Sequence, residues 1–310
     1  MATDIGTEAS PAANAPSAAA KDAPRLGLGR LYLRRFLRNR LAAAGVVIFV
    51  LLVLFSVFGG LLTPYTHSDA DFAALTRPPS GTHWFGTNQG GNDVYASAVH
   101  GLRRSLAIAV SVSVLTVVVA AVIGSSAAYF GGRVEKTVLA VIHFLLVVPS
   151  FLILALVSHR LAGDWRVLVV VLTAFGWMST ARVVWSLATS LRERDYVKAA
   201  EFMGIGAPRI ILRHIIPNLG SLLIVNLTLG VVATVLGETA LSFLGFGVQT
   251  PDVSLGTMLA DGAGTVTSAP WLFAFPAGLV VLLTVSMTFV GDGLRDALDP
   301  TSVTGAAGGR

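Results

Sequence analysis

The sequence predicts an all-α, polytopic membrane protein with six transmembrane helices and both termini in the cytoplasm. Three observations predict it. Of 310 residues, 54% are hydrophobic and only 13% charged, whereas soluble domains carry roughly a quarter charged residues. Six separate runs each approach the roughly 20 apolar residues that a helix needs to cross a bilayer core. Sixteen of the 22 Lys and Arg residues lie on one side of those runs, and that bias marks the cytoplasmic face.

The elements are taken in chain order. Residues 1–24 are rich in Ala, Pro, Ser and acidic residues and hold no apolar core. They read as a disordered cytoplasmic tail and not as a cleavable signal. The N-terminal region, 25–62, carries Arg25, Arg30, Arg34, Arg35, Arg38 and Arg40 ahead of a first span at Leu41–Leu62. A polar, turn-rich extracytoplasmic loop occupies 63–101 and contains RPPSGTHWFGTNQGGND. Val94–Arg104 is expected as an interfacial helix before the second span, Leu102–Phe130, which is long enough to tilt or to project beyond the lipid. The third and fourth spans are Val138–Ser158 and Val167–Leu187, the fifth Leu219–Phe243 and the sixth Trp271–Val290. Together they make a core over 102–300 with a connecting loop at 190–217, and a short tail, 301–310, closes the chain.

The stretch from Tyr196 to Asn218, YVKAAEFMGIGAPRIILRHIIPN, stands out. It joins two apolar runs on the arginine-rich side, so it lies at the cytoplasmic face. Two short helical patterns are broken at Gly204, which can take positive φ, and stopped at Pro217, which has no N–H to extend a helix. Pro208 suits a first helical turn. Ala199 and Ala200 leave the first helix without bulk, so the expectation is a surface on which a partner's backbone comes close.

Catalytic chemistry finds little support. There is no cysteine, and no GxxxxGK[ST], HExxH or GxSxG occurs, which excludes a P-loop for ATP in this chain and the commoner hydrolase and zinc signatures. His67, His83, His100, His143, His159 and His214 are scattered, and no metal site is expected from them. The net charge of +5 sits beside apolar segments, so it reports membrane topology and not nucleic acid. Glu238 is the only acid well inside an apolar run. It reads either as a polar group lining or gating the outer mouth of a translocation path, or as a structural acid hydrogen-bonded to its neighbours. Asp292, Arg295 and Asp296 are spaced for a helix-end salt-bridge cluster.

The loop resembles the "EAA" loop of binding-protein-dependent ABC importer permeases. Lys198, Ala199 and Ala200 stand for EAA, Gly204 follows after three residues, His214 after nine more, and Ile216 and Pro217 complete the pattern. RRFLRNRLAAAG, HWFGTNQGGNDVYASAVHGLRRSL, GETALSFLGFGVQTPDVSLGTML and GDGLRDALDP are similar to segments of the peptide/nickel branch, in particular its C-type permeases of dipeptide and oligopeptide importers. The resemblance implies a type I importer permease fold in the cell membrane. It also implies a second permease in a heterodimer, two cytoplasmic ATPase subunits that bind ATP and Mg, and an extracytoplasmic solute-binding protein. This chain would hold no cofactor. Lys198, Ala199, Ala200, Glu201, Gly204, Arg209, Arg213, His214 and Pro217 would couple to the ATPase. Short peptides are the expected cargo, with nickel or a nickel chelate as the alternative. A stand-alone channel or carrier would carry more ionisable groups inside its spans.

Overall fold

The computed structural model describes residues 28–149, 153 and 164–298. The expected tails at 1–24 and 301–310 lie outside them. Ten α-helices are described: α1 (Leu28–Arg38), α2 (Arg40–Phe58), α3 (Val94–Phe130), α4 (Gly132–Val147), α5 (Trp165–Arg192), α6 (Asp195–Phe202), α7 (Ala207–Ile210), α8 (Gly220–Phe243), α9 (Leu255–Ala263) and α10 (Trp271–Leu298). Among the described residues five stretches are long and apolar enough to cross a membrane: Arg40–Leu62, Val94–Phe130, Trp165–Arg192, Ala207–Phe243 and Trp271–Leu298.

Four expected boundaries change, each for a local reason. Val94–Arg104 is not a separate interfacial helix, because Asp93 caps the N-terminus of one continuous 37-residue α3 and accepts from the Ala96 N–H at 2.8 Å. The third expected span is interrupted. Helix α4 ends at Val147, Val148 is extended (φ −69°, ψ 127°), and Pro149 follows, the residue type that disfavours helix in its predecessor. The rest of that expected span, apart from residue 153, lies outside the described residues. Pro217 does not stop the chain: a π-helical turn (Ile211–Ile215) and a 3₁₀ turn (Ile216–Leu219) carry the helical path from α7 into α8. The wider turn accommodates the missing donor, and the Asn218 side-chain amide donates to the His214 carbonyl at 2.6 Å, replacing one helical bond. Finally, α10 runs eight residues past Val290.

Helix α3 is the central post, packing most extensively on α5 and also on α8, α2 and α9. Its core-side partners form one apolar cluster, with Leu102 and Leu106 against Leu52, Val231, Leu255 and Leu283. Small residues let the helices close up. A Cβ on Gly124 would sit 2.6 Å from the Ala181 carbonyl oxygen. At the end of α10, Gly293 packs against Ala42 and Phe36, which fixes the junction of α1 and α2. The expected salt-bridge cluster there does not form: among the described residues Arg295 makes no ion pair, and Asp296 instead accepts from the Asn39 amide at 3.4 Å.

Candidate functional site

The Tyr196–Asn218 stretch folds as an elbow on the ends of α3 and α5. Val197 and Ala200 of α6, with Ile210, Ile211 and Ile215 beyond it, bury against Ala128, Val184 and Ala188. Burying each such aliphatic side chain contributes roughly 1.5–3 kcal/mol, so the elbow rests on a firm base. Arg192 strengthens the base by donating to the Ala128 carbonyl at 3.3 Å. Gly131 (φ +60°) leaves room for that guanidinium, which would lie 2.7 Å from a Cβ there.

Helix α6 ends in a Schellman motif. The Gly204 N–H donates to the Glu201 carbonyl at 2.9 Å and the Ile205 N–H to the Ala200 carbonyl at 3.1 Å. Gly204 sits at φ +75° with nothing within 4 Å of a Cβ, so glycine is needed here for backbone conformation and not for space. Pro208 lies in the first turn of α7. Of the expected coupling residues, Lys198, Ala199, Glu201, Gly204, Arg209, Arg213 and Pro217 are exposed, and His214 is half-buried. Ala200 differs. It is 1% exposed and faces this chain's own core, so its small side chain fits α6 to α3 and α5. Lys198 is held by Glu193, Nζ to Oε2 at 2.9 Å, and that bond with the charge of Lys198 lowers the Glu193 carboxyl below its ordinary range.

Two residues that the sequence alone does not single out dominate the elbow's tip. Phe202 is 91% exposed and Met203 71%, adjacent large apolar side chains beside the glycine turn. Phe202 closes α6 and Met203 caps it, and only the burial of Val197 and Ala200 on the other face shows that these two side chains point outward.

A groove lies midway along three helices of the bundle. Helix α3 forms its floor through Ser113 and Thr116, α5 one wall through Gly176 and Thr180, and α8 the other through Gly230 and Thr234, around a cavity of about 320 Å³. Its lining is apolar, small and hydroxyl-bearing, with Asn226 the sole amide and no ionisable group. Thr116 Oγ1 is buried without a hydrogen-bond partner. Polar groups on a membrane helix face water or another protein surface and not lipid.

Glu238 is not among the residues lining this groove. It is 1% exposed, and its Oε1 accepts from Ser242 at 2.7 Å and from Ser254 at 2.6 Å. Ser254 is also the N-cap of α9, accepting from the Thr257 N–H at 3.1 Å. The carboxyl therefore joins the end of α8 to the start of α9. The segment between them turns at Gly245 (φ +80°) and is tied to α3 by Asp252. Asp252 Oδ1 lies 2.7 Å from His100 Nε2, and Oδ2 lies 2.7 Å from Arg104 Nε. Burial raises the Asp252 carboxyl, but these partners and the Val253 N–H outweigh it and leave it below the ordinary range. The HWFGT loop packs on itself and on α10: His83 Nδ1 meets Asp93 Oδ2 at 2.8 Å, Phe85 stacks on Phe275, and Trp271 Nε1 donates to the Thr87 carbonyl at 3.3 Å.

Comparison with known proteins decides the family. Residues 120–302 match the model of the binding-protein-dependent transport system inner membrane component. The chain belongs to this family. Residues 27–79 match the N-terminal TM domain of oligopeptide transport permease C, so the two matches together span both the elbow and the first membrane helix. The oligopeptide transport system permease protein OppC of Mycobacterium tuberculosis (strain ATCC 25618 / H37Rv) is 46% identical over 274 residues, covering 88% of this chain and 94% of its own length. OppC of Bacillus subtilis (strain 168) is 35% identical over 289 residues, covering 93% and 95%. The dipeptide transport system permease protein DppC of Bacillus subtilis is 35% identical over 269 residues, covering 86% and 84%. With family membership and its apolar helices, the chain is a multi-pass protein of the cell membrane.

Proposed function

We propose that this chain is one of two permease subunits of an ATP-driven importer and carries dipeptides or oligopeptides across the cell membrane by alternating access. The observation that carries the proposal is the elbow: a rigid apolar base with a bare Phe202–Met203 tip. An aromatic and a Met side chain held out beside a fixed turn suit insertion into a pocket of another protein. That protein is an ATPase subunit, two of which bind ATP and Mg on the cytoplasmic side. ATP hydrolysis belongs to them and not to this chain. Both termini of the permease are cytoplasmic, it has six membrane helices, and an extracytoplasmic binding protein delivers cargo to the opposite face.

The groove supports the path and the cargo. One chain supplies three helices around an open, hydroxyl-bearing cavity, which a second permease would close. Neutral hydroxyls can exchange hydrogen bonds with peptide backbone whatever the side chains. The lining offers no carboxylate, imidazole or thiolate to nickel, so the groove favours peptide.

The test is reconstitution of the full complex in proteoliposomes with Phe202→Ala and Met203→Ala combined. Both side chains are exposed, so stability is expected to stay within about 0.5 kcal/mol. Losing an interface anchor costs about 2 kcal/mol or more, so ATPase association is expected to weaken at least roughly tenfold and peptide uptake to fall with it. Unchanged association and uptake would overturn the docking role.

A further inference from the structure

A second cavity, about 480 Å³, lies at the other end of the bundle. The 63–93 loop, the segment after α8, α9 and the start of α10 enclose it, and His67, Asn88, Gln89, Asn92, Thr250 and Asp261 are among its lining residues. Every charge around it is committed except one. Arg104 and His100 are held by Asp252, and Asp69 accepts from the Thr66 N–H at 2.8 Å. His67 stacks on His100 with ring centroids 3.7 Å apart. Burial and then His100 lower the His67 pKa from its ordinary 6.5, so that ring is neutral at pH 7. Asp261 makes no hydrogen bond or ion pair with any described residue, and burial alone raises its carboxyl. Asn88 Oδ1 is used by the N–H groups of Gly90 and Asn92, and the Asn92 amide donates to the Asp69 carbonyl. The Asn92 Oδ1 and the Gln89 side chain remain as acceptors.

We propose that this cavity binds one organic cation, a primary ammonium or guanidinium group, with Asp261 as its counter-ion and the side-chain amides of Gln89 and Asn92 completing its hydrogen bonds. Asp261 is exposed at the cavity wall, so its carboxylate is open to an arriving cation and attracts it within the concave site. A divalent metal would need several anionic or imidazole ligands, and among the described residues no three His, Asp or Glu come together to hold one. The cavity has room for an amino-acid side chain or the first residues of a peptide. The cation can therefore be a peptide's own terminus or a Lys or Arg presented by a protein docked outside.

The chain has no cysteine, so a Ser68→Cys reporter in the cavity wall gives a clean assay in the assembled complex. A trimethylammonium-bearing and a sulfonate-bearing methanethiosulfonate are compared by their rates of labelling. The Asp261 charge is expected to favour the cationic reagent, with D261N lowering the cationic-to-anionic ratio about threefold or more and D261E preserving it. Butylammonium or ethylguanidinium, added as probes, should protect the thiol when Asp261 is present and not in D261N. Protection by a dipeptide with a free amino terminus, but not by its N-acetylated form, assigns the cation to the peptide. Protection only with the external binding protein assigns it to a docked side chain. An unchanged ratio in D261N, or no protection by any of these, overturns the site. The side of the membrane rests on the orientation proposed above. If the thiol reacts only from the face that carries the elbow, that orientation fails, while the charge ratio still judges the site.

Discussion

Helices α6 and α8 end in the same way, yet the chain beyond one end is opposite in character to the chain beyond the other. Both carry a glycine at positive φ, Gly204 at +75° and Gly245 at +80°. Both close with paired bonds, from Gly204 and Ile205 in one case and from Gly245 and Phe246 in the other, at 2.8–3.1 Å. Beyond Gly245 the chain is tied back by polar groups: Ser242 and Ser254 to Glu238, and Asp252 to His100 and Arg104. Around Gly204 the ties are mainly apolar, and Phe202 and Met203 are left bare. One device thus serves two ends. Most polar groups at the α8 end are tied back internally, although Glu238 Oε2 and Thr239 Oγ1 stay buried without a hydrogen-bond partner; that end is a plug, while the α6 end keeps a surface whose apolar area only a partner can cover.

If that contrast is right, the plug fails by unfolding and the elbow fails by uncoupling. Glu238→Ala is expected to give the largest effect. It leaves the hydroxyls of Ser242 and Ser254 without their acceptor in a site that is 1% exposed and opens a void, a loss of about 3–5 kcal/mol. Little folded protein should be recovered from membranes, whereas Glu238→Gln, which keeps an acceptor oxygen, should be recovered well. Equal recovery of both would mean the hydrogen bonds do not hold α9. Gly204→Val comes second. No neighbour obstructs a side chain there, so the penalty is backbone strain of about 1–3 kcal/mol. It falls on the turn that aims Phe202, and transport per ATP hydrolysed should drop while membrane insertion is kept. Gly204→Asn, which tolerates the left-handed region, should restore coupling. A valine variant with normal transport per ATP would break the comparison at the elbow.

Legibility in the sequence divides along the same line. The elbow's punctuation is legible because Gly204 and Pro208 act through their own backbone, a local effect. Pro217 misleads because a π-helical turn carries the helical path past its missing N–H, while the Asn218 amide reaches back four residues to the His214 carbonyl. Ala200 reads as facing outward since spacing cannot say which side of an eight-residue helix finds a core. Phe202 and Met203 escape notice for the converse reason: apolar residues in an apolar chain do not announce exposure. Glu238 is visible as an anomaly, but its partner Ser254 lies sixteen residues on and across a turn, so only the fold could show what the carboxyl bonds. Likewise, the triad of His100, Arg104 and Asp252 joins residues about 150 apart in sequence.

The smallest effect sharpens the plug side. His67 stacks on His100, near Asp252, Arg104 and Asp69, and burial holds its pKa below the ordinary 6.5. The folded form therefore binds that proton less readily than the unfolded chain. As pH falls through 6.5 the unfolded chain protonates first, so stability declines with falling pH until the lowered folded value is passed, and is undiminished above 6.5. His67 is partly exposed, so solvent screens most of the effect and a shift of a few tenths of a kcal/mol is expected. Thermal unfolding of the purified complex between pH 7.5 and 5.5 should show a small drop that His67→Asn removes. Asp252 acts in the same direction but in a more acidic window, because its lowered carboxyl contributes stability above about pH 4 and loses it only below. A drop near pH 6 that persists in His67→Asn would locate the titrating group elsewhere, and the plug's sensitivity would then lie outside the stacked pair.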